Sequence, residues 1–308
     1  MKLPYLNLIK YKRNILTISS IFILLSLLGI IISCFFSPIR KPINLGMDFV
    51  GGNEIRIERE CSNNCSEITS DELINKIKEI SNDKDTINRI KLQLQNDNKL
   101  ISIRTPFLSL EQSESLIKNI DESIGPLDYQ SKNSRSIGPK LGKDLLLNGF
   151  ISLIISLIAI SLYISVRFDS KFSLFALLAL FHDLFIVFGF FSWLGILYSV
   201  EVNSLFAVSL LTIAGYSVND TVIIFDRIRE NFKSKIDLNN NQKIETSVNE
   251  SLRRTLFTSL TTLIPLITLI IFGSYSLFWF SISLSLGILV GSYSSILLAP
   301  SLLLSKDK

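Results

Sequence analysis

Six apolar stretches limit what this chain can fold into: Ile15–Phe36, Leu145–Val166, Phe172–Gly195, Ser204–Phe225, Thr255–Phe272 and Leu277–Leu304. Each is close to or above the roughly 20 residues that a helix needs to cross a bilayer. Backbone in lipid must satisfy its own hydrogen bonds, so runs of this length read as spanning helices. The 308 residues are 48% hydrophobic and only 19% charged, against about 25% charged in an ordinary soluble chain. The expected fold is an α-helical polytopic membrane protein with six transmembrane helices. The small net charge of +4 is spread over segments flanking the apolar runs, a topology signal rather than a nucleic-acid surface.

Lys2, Lys10, Lys12 and Arg13 precede the first stretch. That charge order resembles a signal sequence, but the apolar run exceeds the 7 to 15 residues of a cleaved core, so it reads as an uncleaved helix. Ile31, Ile32, Ser33 and Cys34 resemble a lipobox; with later spans following, a buried structural cysteine is the expected role. Basic residues set the orientation. Arg167 and Lys171 flank one connection, seven basic residues lie between Asp226 and Arg254 inclusive of the latter, and the Ile196–Asn203 loop has none. Both termini are therefore expected on the cytoplasmic side.

Three regions follow: residues 1–36, the cytoplasmic start and first helix; residues 37–144, a soluble domain on the far side; and residues 145–308, five helices with a cytoplasmic C-terminus. Within the soluble region, Asn53–Glu60, Ile87–Gln95, Leu100–Thr105 and Leu127–Ser134 pattern as strands, and Asp71–Ile80 and Leu108–Ile124 as helices. Asn96, Asp97 and Asn98 have a hairpin-turn composition. The order β-α-β-β-α-β is that of a ferredoxin-like α+β domain.

The fourth stretch holds the costliest residue. Asp220 lies about six residues, or roughly 9 Å, inside the end marked by Asp226, where insertion of a carboxylate costs roughly 2.5 to 3.5 kcal/mol at most. Steps of three and four place Ser209, Ile213, Tyr216 and Asp220 near one helical line, and Asn219 adjoins it. Two readings stay open: a carboxyl on an ion pathway, or one that only bonds a neighbouring helix. The fifth stretch enters from the same side through Arg253 and Arg254, with Thr258, Thr261, Thr262 and Pro265 on one face. Arg254 can pair with Asp220 if the two helices form a hairpin; Arg253 reads as a boundary arginine that fixes topology. An arginine favours the ionised carboxyl and desolvation favours the protonated one, so making and breaking such a pair moves a proton.

His182 and Asp183 sit in the third stretch, where a helix-to-helix hydrogen bond and a titrating histidine are the two readings. His182 is the one histidine, so no multi-histidine metal site is expected, and no cofactor. Cys61 and Cys65 allow a local disulfide, a free thiol pair or a weak metal site. Gly287 and Gly291 form G-x-x-x-G, a close-contact pattern. No nucleophile elbow or H-E-x-x-H is present, so no hydrolytic site is expected.

Several segments in order then carry a resemblance: GMDFVGG at Gly46–Gly52, GPKLG at Gly138–Gly142, FHD at Phe181–Asp183, YSVNDTVIIFDRIREN at Tyr216–Asn231, RRTLFTSLTT at Arg253–Thr262 and GSYSSILLA at Gly291–Ala299. Together they resemble the SecF side of the SecD/SecF family of bacterial protein-export subunits. The resemblance implies a resistance-nodulation-division type of fold in the inner membrane, completed by six spans of SecD. It implies a role without hydrolysis, in which the proton gradient assists export of an unfolded preprotein emerging from the SecY-containing channel. Lipid and these proteins are the implied partners, not nucleic acid. It also implies that Asp220 and Arg254 are the proton-pathway residues, with a further carboxylate supplied by SecD. Two other readings are a half-size proton-coupled exporter of small molecules or lipids, and a passive scaffold.

Overall fold

A computed structural model describes residues 5–61, 72, 90–95, 99–234 and 237–304. It divides into two compact units, Leu45–Asn148 and Met1–Asn44 with Gly149–Lys308. Among the described residues, six helices are long and apolar enough to cross a membrane, one for each apolar stretch. We call them the first to sixth spans: Leu8–Phe35, Pro139–Arg167, Ser170–Tyr198, Ser204–Ser234, Asn240–Phe272 and Tyr275–Leu303. The sixth is interrupted by a π-helical segment, Ser294–Leu298.

Several helices overrun their apolar stretches, for readable reasons. The first starts at Leu8 rather than Ile15, because Asn249 of the fifth span both accepts from Leu6 N and donates to Leu6 O, while Glu245 accepts from Ile9 N. The fifth starts at Asn240 behind a capping box, with Gln242 N donating to Asn239 Oδ1 at 2.8 Å and Asn239 N to Gln242 Oε1 at 3.1 Å. Polar residues carry the fourth and fifth helices onward as a pair. Arg227 Nε reaches Glu250 at 2.7 Å, and Asn231 Nδ2 donates to Ser247 Oγ and Glu250 Oε2, both at 2.8 Å.

Burial is uneven among the spans. The third, fourth and sixth are more than half buried over their most apolar windows, whereas the second has no fully buried residue in its own and the fifth few. Cys34, in the first span, is a free thiol and half-buried, not buried as expected; the flank of that helix is uncovered in this chain.

In the Leu45–Asn148 unit, strands β1 (Gly52–Arg59), β2 (Lys91–Gln95), β3 (Leu100–Thr105) and β4 (Leu127–Ile137) form one sheet in the order β2-β3-β1-β4. All neighbours are antiparallel. Two-residue alternation puts Ile55 opposite Ile103 and Ile57 opposite Ile101, and these four are buried beneath Leu116, Ile117 and Ile120 of the helix Leu110–Ile124. Strand β4 runs on to Ile137, past the Ser134 read from sequence. The expected helix Asp71–Ile80, apart from helical Glu72, and the Asn96–Asn98 turn lie outside the described residues.

The glycine motifs meet in this unit. Gly51 and Gly52 have φ of 82° and 149°, and a Cβ on Gly52 would lie 2.5 Å from Thr105 O. A Cβ on Gly142 would lie 2.9 Å from Gly51 N and 3.0 Å from Phe49 O, so Gly51 of GMDFVGG and Gly142 of GPKLG sit where the two backbones touch. Ile103→Ala tests the sheet core. Ile103 is fully buried, so truncation is expected to destabilise this unit by about 2 to 5 kcal/mol. Limited proteolysis of the full-length chain in detergent should show faster cleavage within residues 45–148, and unchanged cleavage would discount this core.

Candidate functional site

The fourth span brings its polar residues to three neighbours. Ser209 Oγ lies 2.6 Å from Ser283 Oγ of the sixth span. Tyr216 Oη donates to Ser259 Oγ of the fifth at 3.2 Å and accepts from Thr262 Oγ1 at 3.4 Å. Ser217 Oγ donates to Asp183 Oδ2 of the third at 2.6 Å. Asp220 is fully buried, and neither of its carboxylate oxygens has a hydrogen-bond partner. Asn219, one residue and 100° away on the helix, is exposed. The stripe expected from Ser209, Ile213, Tyr216 and Asp220 is thus divided between helices, and Asp220 alone in it is left unsatisfied.

Asp183 is the opposite case. It is fully buried, and three groups converge on its carboxylate: His182 Nδ1 at 2.9 Å on Oδ1, and the hydroxyls of Ser217 and Ser294, each at 2.6 Å, on Oδ2. His182 stacks on Tyr293, with centroids 6.5 Å apart, and its buried Nε2 has no partner. A second bridge lies alongside: Thr221 Oγ1 and Ser295 Oγ are 2.8 Å apart, and Ser295 Oγ donates to Ser217 O at 3.2 Å. These contacts require close helices. A Cβ on Gly291 would lie 3.3 Å from Ser217 Cβ, and one on Gly287 would lie 2.3 Å from Ile213 Cδ1.

The fourth and fifth spans pack together, yet the anticipated pair between Asp220 and Arg254 is not closed. The buried stripe of the fifth span is Ser247, Ser251, Thr255 and Ser259; Arg254 is one residue off it and therefore turns 100° to the exposed flank. Arg253 is also exposed and lies 5.7 Å from the Phe257 ring centroid. Thr258, Thr261 and Thr262 bond carbonyls of their own helix, as hydroxyls in spans commonly do, and the helix continues through Pro265.

Reading from sequence missed Ser217, Thr221, Ser294 and Ser295 as site residues. The available signal was the run Ser292–Ser295, four polar residues inside an apolar stretch. Cys61 is disulfide-bonded, while Cys65 lies outside the described residues.

The SecD/SecF C-terminal profile of protein export membrane proteins matches residues 116–308, and the SecD/SecF GG motif matches residues 36–62. Protein translocase subunit SecF of Prochlorococcus marinus is 48% identical over 303 residues, covering 96% of this chain and 94% of that protein. The Synechocystis subunit of the same name is 38% identical, with 96% and 93% covered. Among solved structures, SecDF of Thermus thermophilus, titled a translocon-associated membrane protein, is 28% identical with a TM-score of 0.79. That match covers 97% of this chain, which spans only 38% of the solved one. A multi-pass membrane protein carrying both matched segments, with relatives this close along nearly its whole length, belongs to the SecD/SecF family.

Proposed function

We propose that this chain is the SecF-type accessory subunit of the Sec preprotein translocase, and that it uses the proton gradient to promote export across the bacterial inner membrane. The single observation that carries the reading is Asp220, a carboxyl sealed inside a span with no hydrogen-bond partner. Such a group is costly as an anion unless a counter-charge approaches it. Arg254 is the charge assigned to that role: it stands on the helix packed against the fourth span and makes no hydrogen bond to the carboxyl. In the open arrangement the carboxyl takes up a proton; approach of Arg254 expels it. If the two arrangements face opposite sides of the membrane, downhill proton flow drives the alternation.

The exposed face of the fifth span, with Arg254, Thr261 and Thr262, supports a second membrane subunit there. SecD is the natural partner, because the solved SecDF chain is far longer than this one, and it would supply a further carboxylate. Basic residues at the Asp226–Arg254 end support cytoplasmic termini, which put the Leu45–Asn148 unit in the periplasm, beside the unfolded preprotein leaving the SecY-containing channel. The antiparallel order β2-β3-β1-β4 supports a ferredoxin-like domain. No cofactor or hydrolytic step enters this mechanism.

Two arginine variants test it. Arg254→Met is expected to lower gradient-dependent export by about tenfold or more, the scale of losing one partner of a desolvated charge pair, while a SecD-like subunit still co-purifies. Arg253→Met should instead lower the amount of inserted protein. Equal export defects per inserted molecule would remove the special role given to Arg254.

A further inference from the structure

Three polar features of the membrane unit are not used by the proton pair: the saturated Asp183 carboxylate, the orphaned His182 Nε2, and the π-helical interruption of the sixth span. Asp183 and the π-helical segment both contact the part of the fourth span that carries Asp220. Ser217 stands one turn before Asp220 and is held by Asp183; Thr221 directly follows Asp220 and is held by Ser295. The aspartate is thus bracketed on its own helix by two grips, both of which end on Ser294 and Ser295.

The double grip falls at the start of the π segment. Ser294 donates to Asp183 of the third span, while Ser295 meets Thr221 and the Ser217 carbonyl of the fourth. π-Helical turns concentrate at functional sites. The third-span side is anchored in turn: His182 holds the other carboxylate oxygen and stacks on Tyr293, whose hydroxyl donates to Ile15 O at 3.1 Å and sits 3.0 Å from Ser19 Oγ of the first span.

We infer that Asp183 is a positioning residue: with Ser217, Ser294, Ser295 and Thr221 it clasps the fourth span in the rotation that keeps Asp220 apart from Arg254. The clasp holds the open, proton-accepting arrangement, and closing the pair requires the fourth span to slip this grip. This rests on Asp220 as the proton-carrying group. Apart from the charged clusters Asp226–Lys233 and Lys243–Glu250 at the ends of the fourth and fifth spans, and Lys171, Tyr198 and Tyr275 at the ends of the third and sixth, the titratable and charged groups on the fourth span and on the helices packed against it are Arg254 and Arg253 on the fifth, His182 and Asp183 on the third, Tyr293 on the sixth, and Tyr216 on the fourth itself.

The test is site-resolved modification of Asp220 by a hydrophobic carbodiimide, which reacts with protonated carboxyls, in membranes holding the assembled complex. The labelled peptide is followed by mass spectrometry across pH. Ser217→Ala with Ser294→Ala keeps every charge and removes the grip. Its half-labelling pH is expected to fall by about half a unit or more, the scale of losing one or two hydrogen bonds, because Asp220 then settles toward Arg254. Asp183→Asn removes the charge but keeps a group that bonds both serines, and its profile should match the wild type. Should the double variant fail to assemble, Ser217→Ala alone is expected to show a smaller fall. A wild-type profile in the serine variants, an Asp220 that resists the reagent at every pH, or an Asp183→Asn shift as large as that of the serine pair overturns the clasp. Failure of the underlying proton reading shows elsewhere, as gradient-dependent export that survives Asp220→Asn.

Discussion

Asp220→Asn is expected to reduce export to the rate left when the proton gradient is collapsed, with the complex still assembled. The substitution keeps the side chain's shape and removes its titration. Because neither oxygen of Asp220 has a hydrogen-bond partner, no existing bond is broken, and the amide replaces an unsatisfied buried group with another of similar size. The structural disturbance should therefore be slight, well below the 3 to 5 kcal/mol typical of breaking a buried ion pair. That separation of effects is what makes the variant informative. Export from inverted or intact vesicles, measured with and without an uncoupler, should lose its uncoupler-sensitive part completely. A passive scaffold predicts the opposite result: normal assembly, normal export and undiminished uncoupler sensitivity. A half-size exporter of small molecules predicts export of preprotein unaffected by any change at Asp220.

Much of this arrangement was legible because membrane insertion filters sequence harshly. The six spans follow from apolar length, and Asp220 stands out because a carboxylate in that setting needs a reason. The ends of the helices were less legible: Asn239 with Gln242 and Arg227 with Glu250 extend the fourth and fifth spans through polar sequence that hydropathy treats as loop. The Asp183 grip was illegible for another reason. Hydroxyl residues crowd every span, and most, such as Thr261 and Thr268, return their hydrogen to their own helix; nothing in composition says that Ser217 and Ser294 do otherwise. The π turn that contains Ser294 and Ser295 has no sequence signature. Arg254 was partly legible. The small polar stripe Ser247, Ser251, Thr255, Ser259 already implies the buried face, and a residue one step from it must stand on the flank, near Asp220 but not against it.

Gly287→Val should part the fourth and sixth spans, and Ile213→Ala should relieve the damage. A Cβ at position 287 would lie 2.3 Å from both Ile213 Cδ1 and Cγ1 and 2.9 Å from Cγ2. Ile213 is fully buried and β-branched, so its side chain has few rotamers and no open space to enter. The helices must then part, at a cost of about 1 to 3 kcal/mol or more. Parting the fourth and sixth spans at this level also strains the bridges above it, Ser217 with Ser294 through Asp183 and Thr221 with Ser295. Ile213→Ala removes the colliding atoms at the expense of a cavity in the wild-type background, roughly 2 to 5 kcal/mol. In the double variant the valine fills that space, so the two losses should fall well short of additive, with a coupling of about 0.5 to 3 kcal/mol. Gly291→Ala sets the scale for a tolerable crowding, since its Cβ would meet Ser217 Cβ at 3.3 Å, and Gly215→Ala, with nothing within 4 Å, is the reference. Thermal unfolding of the purified complex in detergent should rank Gly287→Val least stable, then Gly291→Ala, then Gly215→Ala near wild type. If the valine variant melts with the reference and Ile213→Ala adds its full loss on top, the fourth and sixth spans do not meet at Gly287, and the distances that aim Ser294 at Asp183 fall with that contact.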